Sequence, residues 1–178
     1  TTGLVVFGKN AAALQELNRM IRDKDKVRKL YLTIAAGRLE KPVRLRAKMT
    51  KDESRNVVSV LSEEEEGKVM ETIARPLAYA NWKGRDYTLT EVEILTGRTH
   101  QIRAHLAKAG YPVIGDVKYG DKGVNAVMEK EFGLTTQLLH AYKLVFRAAP
   151  QREELVVESQ LPPDFKRIKE TIFGNNTR

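Results

Sequence analysis

Residues 96 to 105 read Thr96-Gly97-Arg98-Thr99-His100-Gln101-Ile102-Arg103-Ala104-His105, and their character changes midway, from turn formers to a helical pattern. Ile102, His105, Leu106 and Ala109 recur on one side of a helix predicted over 99–109, and Gly110 with Pro112 supplies its stop. The first turn gathers the flexible backbone of Gly97, the forked cation of Arg98 and the hydrogen-bonding groups of Thr99, His100 and Gln101 near exposed amide donors. Such a place suits an anion or a nucleotide turned out of its stack. Arg103 falls one turn further on, beside the apolar stripe, where a guanidinium requires a partner because an unpaired buried charge is costly.

The segments on either side read mainly as strands. Leu30, Leu32 and Ile34 alternate with Tyr31 and Thr33, which predicts a strand over 27–36 with Tyr31 opposite the leucines. Alternation also predicts strands over 57–61, 68–77 and 87–94, the last two joined by a turn at Asn81-Trp82-Lys83-Gly84. Leu4 to Phe7 reads as a short buried strand, followed by a helix capped at Asn10 with Leu14, Leu17 and Ile21 on one face. Residues 142–146 and 155–157 predict a closing hairpin, and 162–173 a terminal helix with Phe165, Ile168 and Ile172 as its apolar stripe. The acidic run Glu63 to Glu66 reads as a solvated hairpin tip without a function.

With 178 residues and 42% apolar content, the chain can build one substantial core, so a single domain over 1–178 is expected. No apolar run approaches the roughly 18 to 20 residues of a membrane span. The absence of cysteine removes disulfides, thiolate nucleophiles and cysteine metal sites, and is compatible with a reducing cytoplasm, the expected location. The net charge of +8 is concentrated: residues 19–55 hold 13 basic and 5 acidic side chains, and the remainder holds 18 of each. A basic segment of that density attracts polyanions, with RNA or DNA the natural partner.

Beyond residues 96–105, the chain carries Lys29-Leu30-Tyr31 upstream, then Gly115-Asp116-Val117-Lys118-Tyr119-Gly120 and Leu139-His140-Ala141 downstream, and opens with Thr1-Thr2-Gly3-Leu4. In this order the motifs resemble those of the RluA-like pseudouridine synthases. The resemblance implies an α+β fold, a mixed and mostly antiparallel sheet flanked by helices and loops, and isomerisation of uridine in RNA to pseudouridine without metal or cofactor. It implies a large-subunit ribosomal RNA substrate, with transfer RNA as the other option, and a monomeric enzyme. By the same resemblance Tyr31 stacks on the target uracil and is placed to take the proton from C5, and Arg103 pairs with the catalytic aspartate. Lys29, Gly97, Arg98, Thr99, His100 and Gln101 are the implied substrate-binding residues.

Thr1-Thr2-Gly3-Leu4 resembles the end of the family's His-Arg-Leu-Asp-x-x-Thr-(Ser/Thr)-Gly-Leu motif, which places the nucleophilic aspartate just before residue 1. The chain as given is therefore expected to be inactive in this chemistry, to be a trimmed or incompletely read form, and to keep RNA affinity. Arg103 is expected to be partly unpaired, held by an anion, or bridged to a backbone carbonyl. The alternative reading is a non-catalytic RNA-binding or ribosome-assembly protein. His100 and His105 stand about 140° apart around a helix, which does not suit a metal pair, and His105 and His140 read as packing histidines. Asp116, between glycines, reads as a turn residue, and an N-terminal nucleophile at Thr1 has no supporting residues.

Overall fold

The computed structural model describes residues 1–23, 26–52, 54, 56–62, 65–147 and 154–174. Glu63 and Glu64 of the acidic run lie outside them. In chain order the elements are β1 (Thr2–Gly3), α1 (Ala11–Arg22), β2 (Val27–Ala36), β3 (Val43–Asp52), β4 (Val57–Leu61), β5 (Lys68–Trp82), β6 (Arg85–Ile94), α2 (Gln101–Lys108), α3 (Lys122–Phe132), β7 (Leu139–Phe146), β8 (Leu155–Glu158) and α4 (Pro163–Phe173). Among the described residues eight strands form one sheet in the order β1-β7-β2-β6-β5-β3-β4, with β8 also paired to β7. Of these pairings β1 with β7 is parallel and the others are antiparallel, giving the mixed α+β architecture.

The two faces of the central strands carry different helices. Leu32, Ile34, Tyr87 and Leu89 pack with Val124 and Met128 of α3 and with Phe165, Ile168 and Ile172 of α4. Burying each of those α4 side chains contributes on the order of 2 kcal/mol, which anchors a helix too short to be stable alone. On the opposite face Val92 and Ala74 meet Ile102 and Leu106 of α2, with Tyr31 partly buried at the margin. Tyr31 thus faces away from Leu32 and Ile34, as strand alternation requires.

Several sequence expectations need correction. The apolar run Leu4–Phe7 forms no strand; Val5 and Phe7 are 71% and 82% exposed. The outer edge of β7 explains this: it pairs with Thr2 and Gly3 only at His140 and Ala141, and β8 takes Lys143 to Phe146. Gly3 is required at that contact, since its φ is +107° and a Cβ there would lie 2.2 Å from the Ala141 carbonyl oxygen. α1 starts at Asn10, whose Oδ1 accepts from the Ala13 N–H at 2.8 Å, but it buries none of its residues fully. β3 and α3 were not anticipated, and β5 runs to Trp82, so its turn narrows to Lys83 and Gly84, both at positive φ as two-residue hairpin turns prefer. α2 begins at Gln101, two residues later than expected.

Candidate functional site

A cavity of about 230 Å³ opens where the N-terminal segment, β2 and the start of α2 meet. Thr1, Tyr31, Arg98, His100, Gln101 and Arg103 line it, and Ile94, Ile102 and Leu139 supply an apolar wall. The fold brings these residues together by two devices. At Leu30/Tyr31 the pairing of β2 with β7 shifts register, so Leu30 faces Lys143 while Tyr31 faces Ala141. Such an irregularity bends a strand and re-aims its side chains. Secondly, Thr2 Oγ1 meets His140 Nδ1 at 2.8 Å and the Leu4 N–H donates to the Ala141 carbonyl, which fixes Thr1 at the cavity wall.

Arg103 is not left unpaired, and no anion is needed to hold it. Nε donates to Asp116 Oδ2 at 2.6 Å and Nη2 to Oδ1 at 2.7 Å, with the residues 7% and 1% exposed. Asp116 is a turn residue as expected, accepting from the amides of Lys118 and Tyr119, but it is also the counter-charge. Burial pushes its carboxyl up, yet the Arg103 guanidinium and those two amides outweigh it and hold the group below the usual carboxylate range. Nη1 of Arg103 has no hydrogen-bond partner among the described residues.

Gln101 is committed internally. Its Oε1 accepts from Thr96 Oγ1 and the Arg98 N–H, and its Nε2 donates to the Glu71 carbonyl and Thr72 Oγ1. It therefore shapes the turn before α2, leaving Thr1, Tyr31, Arg98 and His100 as the polar residues that line the cavity with Arg103. His100 adopts φ +52°, a left-handed conformation uncommon for a residue with a Cβ. Burial, then the Arg103 and Lys118 charges, push its imidazole below the ordinary histidine range, against a smaller pull from Asp116. Burial raises the Tyr31 phenol, which is protonated at neutral pH.

Gly97 and Thr99 line a second, larger cleft of about 470 Å³ with Thr50, Lys51 and Lys68, and Arg98 belongs to both. Lys29 lines neither; it sits on an apolar groove between β2, β7 and α1, where burial lowers its ammonium pKa. Tyr119, which no spacing in the sequence singles out, also belongs to the site: its hydroxyl reaches His100 and its ring lies under the Arg103 guanidinium at 5.1 Å. Only its place in the Gly115–Gly120 motif could have pointed to it. His105 and His140 pack as expected, each with Nδ1 on a threonine hydroxyl.

Comparison with known proteins gives a consistent picture. The family model described as RNA pseudouridylate synthase matches residues 1–108. The chain is similar to ribosomal large subunit pseudouridine synthase C of Pasteurella multocida (strain Pm70), at 34% identity over 172 residues, covering 94% of this chain and 50% of that protein. It is similar to the protein of the same name from Haemophilus influenzae at 33% identity over 170 residues, covering 94% and 51%. The chain thus spans about half the length of the curated relatives it matches. Among solved structures, human RNA pseudouridylate synthase domain containing 1 shares the fold, with a TM-score of 0.68 at 24% identity, over 86% of this chain and 62% of that one.

Proposed function

Because the chain belongs to the RNA pseudouridylate synthase family, in its RluA-like branch, we propose that it is the uridine-binding part of an enzyme that isomerises uridine in RNA to pseudouridine. The observation that carries this reading is the convergence of Tyr31, Arg98, His100 and Arg103 on one cavity beside Thr1. A cavity of this size suits a single flipped base, smaller than the usual pocket for a whole drug-sized ligand. Tyr31 stacks on the uracil. Its half-buried, protonated phenol fits that role and counts against a standing phenolate base at C5. Arg103 holds a positive charge at the wall where a carboxylate nucleophile would act, with Asp116 fixing two of its three nitrogens.

Among the described residues no carboxylate lines the cavity. The family motif puts its aspartate three positions before Thr1, and Thr1 itself lines the cavity together with Arg103. The reaction then breaks the glycosidic bond, turns the base while the pocket retains it, and rejoins it through C5 with loss of the C5 proton. We propose large-subunit ribosomal RNA as the substrate class, in keeping with the names of the relatives, and a monomer acting in the cytoplasm through one domain. The basic residues Lys51, Lys68 and Arg98 around the adjoining cleft fit one second reading, an RNA-binding protein without catalysis.

Tritium release from RNA carrying [5-³H]uridine separates the two. The 178-residue chain is expected to release none, and the same chain preceded by His-Arg-Leu-Asp and two residues is expected to release tritium. Silence from the folded, extended chain would favour the non-catalytic reading.

A further inference from the structure

Tyr119 Oη stands between two partners: the Val58 N–H of β4 donates to it at 2.7 Å, and His100 Nδ1 lies 3.0 Å away. A phenol has one proton to give. With the Val58 N–H donating on one side, that proton is available to Nδ1. The reverse arrangement, Nδ1–H donating to the oxygen, would leave the hydroxyl proton without an acceptor among the described residues. A neutral imidazole that accepts at Nδ1 carries its own proton on Nε2. Nε2 has no partner among the described residues and is not sealed from solvent, and His100 lines the cavity.

We infer that Tyr119 is a positioning residue that fixes His100 in the Nε2–H tautomer, so that His100 presents one N–H donor to a carbonyl oxygen of the base in the cavity. The edge-to-face contact of the two rings, 5.6 Å between centroids, and the left-handed backbone of His100 hold the imidazole in place. The latch also ties β4 to the cavity, since the group that orients the phenol is a backbone amide of that strand. The recognition half rests on the nucleotide reading of the cavity; the tautomer half does not.

Both halves are tested on the 178-residue chain. It has three histidines, so ¹⁵N-histidine labelling gives a simple spectrum in which His100→Gln identifies the His100 signals. The expected result is a protonated Nε2 and an unprotonated Nδ1 in the parent chain, lost as a single state in Tyr119→Phe. A proton on Nδ1 in the parent would overturn the inference without touching the function proposed above. For recognition, Tyr119→Phe is expected to weaken binding of oligouridine about tenfold, the worth of one hydrogen bond. It should leave an abasic strand of equal length unaffected. In a His100→Gln background, where the amide supplies the donor unaided, the same change should alter binding by no more than about twofold. Equal losses on both strands, or an undiminished loss in the glutamine background, overturn the recognition half. Absence of any oligouridine binding overturns it together with the nucleotide reading of the cavity.

Discussion

Asp116 grips Arg103 through both carboxylate oxygens, at 2.6 and 2.7 Å, thirteen residues away in sequence and almost fully withdrawn from water. Removing one partner of such a pair leaves a buried charge uncompensated, at a cost of about 3 to 5 kcal/mol. Asp116→Asn is therefore expected to lower the stability of the chain by that amount in urea unfolding. Arg103→Lys keeps the charge but loses the fork, and should cost less. A change below about 1 kcal/mol in Asp116→Asn would show that the pair does not hold the start of α2.

Tyr31 is proposed to stack on the base. Tyr31→Phe retains the ring and should bind single-stranded, uridine-rich RNA as the parent does, whereas Tyr31→Ala should lose about 1 to 3 kcal/mol of affinity. Equal behaviour of the two variants in a binding titration would remove Tyr31 from the RNA contact.

Lys51, Lys68 and Arg98 surround the larger cleft that adjoins the cavity. If phosphates occupy it, Lys68→Ala should reduce the slope of log affinity against log salt by about 0.7, the value for one phosphate on a single strand. The variant should weaken binding evenly across sequences. An unchanged slope would place the strand elsewhere.

His105 predicts a pH dependence of stability. Its Nε2 is buried without a partner among the described residues, and burial pushes the imidazole down to about 4. Between 4 and the ordinary value of 6.5 the unfolded chain binds more protons than the folded one. This contribution is therefore complete above 6.5 and is lost as pH falls toward 4, by on the order of 3 kcal/mol. His105→Asn, which keeps a polar atom near the position of Nδ1, should flatten that slope in unfolding titrations from pH 7.5 to 4.5.

Where one element decided its own conformation, the sequence was legible. β2, β4, the β7–β8 hairpin and α4 follow from alternation or from an apolar stripe, and Asn10 caps α1 as its side chain suggests. β3 escaped because its alternating face is basic, Arg44, Arg46 and Lys48, and reads as a charge cluster rather than a strand. α3 offers only Val124 and Met128 as fully buried positions behind a glycine in its first turn, too thin a stripe to stand out. Leu4 to Phe7 misled for a tertiary reason, since apolar content cannot make a strand where β8 already holds the neighbouring edge. The same holds in the site: Tyr31, Arg98, His100 and Arg103 were legible as a motif, whereas the links of Asp116 to Arg103 and Tyr119 to His100 exist only once the turn folds back on α2.

In the proposed site the target uridine sits between Tyr31 and Arg103. Photocrosslinking reads this placement: RNA bearing 5-bromouridine is irradiated with the 178-residue chain, and the attached peptide is mapped by mass spectrometry. A crosslink at Tyr31, lost in Tyr31→Ala, is expected. Crosslinks confined to the opposite face, on α4, with Tyr31 untouched, would overturn the placement.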